Sequence, residues 1–152
     1  PLSSTSGAYT LAGETIEIYA DTVSKMLPVG FQAKAKVSTF NFSASTAPSS
    51  VPITGVGFKP SAICFLASTN GTSTMSFGVD DGSFHFGVGD DGADVSGTYF
   101  LRNTESILYA QAAGATCLGH IASFDNDGFT VSFSKTGAPV GVIVVGYLAI
   151  RL

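Results

Sequence analysis

The chain has 152 residues, enough for one domain, and only 12% of them are charged, against about 25% in an average soluble domain. A net charge of −4 and a pI near 4.8 exclude the basic footprint that a nucleic-acid binder needs. An apolar fraction of 45% is too high for a disordered chain, yet no run reaches the roughly 20 apolar residues of a membrane-spanning helix.

In chain order, Pro1 to Ala12 is weakly patterned and is expected to form an extended arm that lies on a partner. Residues 13–152 are then one β-sandwich domain. Thr15 to Ala20 alternates, with Ile16 and Ile18 inward. One short helix is expected over Asp21 to Leu27, capped by Asp21 or Thr22 and stopped by Pro28. Val37 to Phe42 alternates again and places Phe40 and Phe42 on one face. Ala62 to Ala67 is apolar on both faces, as is Val140 to Ile150, so each is expected in a sandwich interior or against a neighbouring subunit. Asn70-Gly71 between two β runs has the form of a type I′ hairpin turn. Phe77-Gly78-Val79-Asp80-Asp81-Gly82 nearly repeats as Phe86-Gly87-Val88-Gly89-Asp90-Asp91-Gly92, which reads as two strands each running into a turn. Phe129 to Ser134 alternates completely, with Phe129, Val131 and Phe133 assigned to the core and Gly128 to a positive-φ turn. About ten short strands with these punctuations predict an all-β, antiparallel sandwich or jelly roll.

The motifs that could carry chemistry are thin. Five of the eleven acids lie between Asp80 and Asp94, and oxygen-rich turns of this kind can hold calcium. Their spacing fits no EF-hand or nonapeptide repeat, and Asp125-Asn126-Asp127-Gly128 lacks the later bidentate Glu, so turn-forming aspartates are the expectation. Gly87 to Gly92 spells G-x-G-x-x-G, but a strand-like segment follows where a helix should begin. His85 and His120, the only histidines, fall inside predicted strands, and no nucleophile elbow accompanies them. Cys64 and Cys117 are expected to be free, buried thiols, because Pro1-Leu2-Ser3-Ser4 carries no leader and a reducing cytosol follows from that. A single disulfide between them is the alternative. No catalytic, cofactor-binding or metal-ligating residue is assigned, and no cofactor, nucleic acid or membrane is expected.

Two stretches carry a resemblance. Ile53-Thr54-Gly55-Val56-Gly57-Phe58-Lys59-Pro60-Ser61 runs into the apolar strand Ala62 to Ala67. Asp127-Gly128-Phe129-Thr130-Val131-Ser132-Phe133 runs on to Gly146-Tyr147-Leu148-Ala149-Ile150. Together, over roughly residues 51–150, they resemble tailed-bacteriophage virion proteins with a "GF-x-P" turn before an apolar strand and a "DGF-x-V-x-F" hairpin near the end. The resemblance implies a capsid decoration (cement) subunit: a homotrimer on the capsid surface, bound to the major capsid protein, made in the host cytoplasm and not an enzyme. A tail-fibre or receptor-binding, lectin-like tip is the alternative, using the Asp80 to Asp94 turns with Phe84, Phe86 and Tyr99. A hydrolase built on His85 or His120 with an aspartate is the third reading.

The composition is compatible with assembly. A 15.5 kDa globule exposes about 7,200 Å² by mass scaling, roughly 400 Å² for each charge, so its surface must be rich in hydroxyl and apolar groups. Serine and threonine supply 34 of the 152 residues.

Overall fold

The computed structural model describes residues 7–11, 14–18, 33–69, 74–90, 99–112 and 114–152. Two units divide the chain: residues 1–33 with Leu152, and Lys34–Arg151. In the first unit, β1 (Gly7–Leu11) pairs antiparallel with β2 (Glu14–Ile18), Tyr9 opposite Ile16. The expected boundary after residue 12 falls outside the described residues. The expected helix over 21–27 and the Asn70-Gly71 turn lie outside the described residues.

The second unit holds ten described strands in two antiparallel sheets. They are β3 (Lys34–Ser43), β4 (Ser49–Ile53), β5 (Ala62–Thr69), β6 (Met75–Asp80) and β7 (His85–Asp90). β8 (Tyr99–Arg102), β9 (Ile107–Ala112), β10 (Ala115–Asp125), β11 (Gly128–Thr136) and β12 (Val142–Arg151) follow. One sheet has four strands in the order β4-β11-β10-β9; the other has six, β3-β12-β5-β6-β7-β8. Among the described residues this unit is an all-β antiparallel sandwich, as the turn spacing predicts.

Alternation places the core. Ile63, Phe65 and Ala67 of β5 and Ile143, Val145, Tyr147 and Ala149 of β12 meet Phe129, Val131 and Phe133 of β11 between the sheets. Phe42 of β3 stacks on Phe133 with centroids 3.9 Å apart, and Phe129 meets Phe65 and Tyr147 edge-on. Such aromatic pairs contribute about 0.5–1.5 kcal/mol each beyond the area they bury.

The two stretches that carry the resemblance are joined. Asp127, in the β10–β11 turn, accepts the Gly55 amide on Oδ2 (3.0 Å) and the Gly57 amide on Oδ1 (2.6 Å). Its carbonyl accepts the Val56 amide at 3.1 Å. This clip holds the loop that buries Val56 and Phe58, and Gly55 and Gly57 adopt the positive φ it requires. Gly128 has the expected positive φ, 159°, and close approach is a second reason for glycine: a β-carbon there would collide with the Ile53 carbonyl of β4.

Candidate functional site

β6 and β7 turn the usual sheet polarity around. The near-repeat becomes one hairpin in which Gly78 faces Gly87 and Phe77 faces Val88. Ser76, Gly78, Asp80, Gly87 and Gly89 are buried toward the other sheet, while Met75 and Phe77 point outward. The cause is the segment leading into β9, which presses onto the glycines. A β-carbon on Gly78 would strike the Ser106 carbonyl, and one on Gly87 would meet the Glu105 carbonyl and the Leu108 side chain. The G-x-G of Gly87 and Gly89 therefore lies mid-strand and serves packing.

Asp80 is the one charged residue among the described buried side chains, 2% exposed. Its Oδ2 accepts the Ser106 hydroxyl at 2.7 Å and the Ile121 amide at 2.9 Å; Oδ1 accepts the Gly82 amide at 2.9 Å. Pairing of β9 with β10 runs only to Ile107–Gly119, extended by Ser106 N–H to the Gly119 carbonyl at 2.9 Å. The next inward-turned amide on that edge of β10, Ile121, goes to Asp80 instead, so the carboxylate pins the two sheets together. His85 Nδ1 lies 2.9 Å from Asp80 Oδ1, at ion-pair distance but without hydrogen-bond geometry. The His120 ring is 5.1 Å from that of His85.

Sequence reasoning places both histidines in strands correctly but does not bring them together or find Ser106 and Asp80. The usable signal was an aspartate one position before a turn, on the face its apolar neighbours leave. Their order matters chemically. Here the aspartate sits between serine and histidine, and Ser106, fully buried, donates to a carboxylate; activation of a serine needs the histidine in the middle.

Asp81 and Asp125 serve turns. Asp81 Oδ1 accepts the Ser83 amide at 2.8 Å and the Phe84 amide at 2.6 Å. These bonds, Phe84's first, hold its pKa below the ordinary 3.8. Asp125 accepts the Ser123 and Thr130 hydroxyls. No group of three or more His, Cys, Asp or Glu among the described residues is arranged to hold a metal; Asp91 and Asp94 lie outside those residues. Both cysteines are free. Cys117 is buried, and burial raises its pKa to about 11, while Cys64 is half-buried on the opposite side of the six-stranded sheet.

That outer side is the second candidate. The two runs expected to be covered on both faces, in β5 and β12, have one face in the core and the other outside the sandwich. Across it, Val37, Leu148, Cys64, Val79 and Phe86 fall in one register row; Leu66, Phe77, Val88 and Leu101 fall in the next, beside Gly146. Val37 is 74% exposed, Leu66 54% and Phe77 46%. With no side chain at Gly146, a shallow cavity of about 250 Å³ opens between Val37, Cys64, Leu66, Phe77 and Leu148. Comparisons with family models, curated proteins and solved structures give no match to this chain.

Proposed function

We propose that this chain is a virion structural subunit of the capsid-decoration type, which self-associates as a homotrimer and stabilises the shell by binding the major capsid protein. The observation that carries the reading is the outer face of the six-stranded sheet, apolar along β12, β5, β6 and β7 and left outside the sandwich core. Contiguous apolar surface of this extent marks a contact site. The "GF-x-P" and "DGF-x-V-x-F" stretches support it further, since the Asp127 clip makes them one structural unit. In this reading no bond is made or broken. Apolar and hydroxyl-rich surface leaves water in the assembled state, and mass action favours the shell that carries the subunit.

The test is native mass by light scattering, in calcium and then EDTA, followed by co-sedimentation with bare shells. A metal-indifferent trimer that sediments with shells is expected; a folded protein left in the supernatant overturns the reading.

A second reading, a fibre tip that binds glycans, is favoured by Phe84. Its ring is exposed and lies parallel to that of Phe86, centroids 6.4 Å apart, beside the Asp81 turn. Glycan-array binding lost in Phe84→Ala would support it. A blank array with folded protein would remove it.

A further inference from the structure

We propose that the outer face of the six-stranded sheet is the seat of a second copy of this chain, keyed by the notch at Gly146. The inference rests on the assembly reading above and names the surface and the occupant.

Size is the first argument. Six strands about 4.8 Å apart, each presenting roughly seven residues at about 3.3 Å, give a plan area of about 650 Å². Corrugation by large side chains raises the accessible area toward the roughly 800 Å² per partner of a stable complex.

Chemistry is the second. From β3 the face presents Ala35, Val37, Thr39 and Asn41; from β12, Val144, Gly146, Leu148 and Ile150; from β5, Ala62, Cys64, Leu66 and Ser68. β6 and β7 add Met75, Phe77, Val79, Phe86 and Val88, and Leu101 of β8 closes the far edge. Asp90 at one corner is the only charge at these strand positions. Interfaces with foreign partners are about as polar as ordinary surface, whereas those between copies of one chain are more apolar. A face with nearly no charge offers nothing for electrostatic selection of a foreign protein. A second copy always brings matching apolar surface.

Shape is the third. The notch exists because position 146 is glycine, and around it stand Val37, Leu66 and Phe77 as exposed projections. A surface with both a recess and projections of similar size can meet the next copy head to tail, recess to projection, and close a three-membered ring.

Three variants test this. Leu66→Lys puts a charge at the centre, and Val37→Lys puts one on an edge strand at a position that contributes nothing to the core. Gly146→Leu fills the notch; a β-carbon there has only the Leu66 carbonyl oxygen near it, at an ordinary 3.5 Å. The parent should run as a defined multimer. The variants should fall toward 15.5 kDa while keeping the β-sheet circular dichroism and cooperative unfolding of the parent. Should Leu66→Lys fail to fold, the other two decide.

Cys64 lines the notch and gives an independent readout. Its thiol should react with a small disulfide reagent at least tenfold more slowly in the parent than in a dissociated variant. Buried Cys117, with its pKa near 11, stays silent in both. A parent multimer whose mass and Cys64 rate are unchanged by all three substitutions would overturn the inference and leave the assembly reading standing. A parent at 15.5 kDa at every concentration also overturns it. Loss of shell sedimentation in the same variants would then give the face to the shell protein.

Discussion

Replacing Asp80 by alanine should cost about 3–4 kcal/mol of folding stability. The carboxylate holds three donors, of which the Ser106 hydroxyl and the Ile121 amide are buried. Each buried donor left without an acceptor costs about 1–3 kcal/mol. The Gly82 amide is only part-buried and regains water. Against this stands the relief of a desolvated charge, which makes removal less harmful than the orphaned donors alone imply. With an m-value of about 1–3 kcal/mol/M in urea, the unfolding midpoint should fall by about 1 M or more. Asp80→Asn should lose less, about 1–2 kcal/mol. Its single oxygen can keep Ser106 and Ile121 while its amide faces the Gly82 donor. A cycle through Ser106→Ala should show coupling above about 0.5 kcal/mol, since the two side chains touch. An Asp80→Ala protein within about 1 kcal/mol of the parent would refute the view that this carboxylate pins the sheets.

Other perturbations separate the remaining contacts. Gly128→Ala should destabilise by about 2 kcal/mol or more, because its β-carbon meets the Ile53 carbonyl of β4; unchanged chemical unfolding would remove that close approach. Asp127→Ala should cost about 1–2 kcal/mol by releasing the Gly55 and Gly57 amides. Hydrogen exchange should speed up at residues 55–57 while β12 stays protected. Asp81 has a folded pKa below 3.8, so the stability it lends is present above 3.8 and lost as pH falls through the folded value. Its carboxyl resonance should titrate below 3.8, and the Ser83 and Phe84 amide shifts should move with it. Cys117 runs the other way: raised from 9.0 to about 11, it favours the folded state below pH 9, and that contribution fades as pH rises to about 11. Cys117→Val should flatten that part of the stability profile.

Period-two alternation carried most of the fold because most strands obey it. In β11, Phe129, Val131 and Phe133 are buried as their spacing requires, and the Asp127-Gly128 turn falls where the dipeptide stands. Two features were out of reach. A strand apolar on both faces does not say which face the sandwich uses, and β5 and β12 needed their partners before the open side could be identified. In β6 and β7 the rule itself fails. Serine, glycine and aspartate point in because a neighbouring backbone lies too close for larger groups, and that neighbour, around Ser106, is 26 residues from Asp80. Close backbone approach across such a gap leaves no periodic trace. The acidic cluster forms turns as expected, but its members divide. Asp80 and Asp81 adjoin in sequence, but one closes a sheet junction and the other an exposed turn.

The reversed polarity of β6 and β7 links interior to exterior. On the inner side it lets the β9 segment seat directly on backbone, with Asp80 supplying the acceptor that strand pairing no longer provides. On the outer side the same two-residue period sends Met75, Phe77, Val79, Phe86 and Val88 into line with Leu66 and Leu148. Neither side can change alone, since a one-residue slip would bury five large side chains against glycine-sized gaps and expose the carboxylate network. Left in water, such a face is a liability for uncontrolled association. Covered by a like surface, it adds hydrophobic stabilisation of about 25 cal/mol per Å² removed from water, before the losses of association. The arrangement that makes the inner junction tight is thus the one that lines the outer face with apolar side chains.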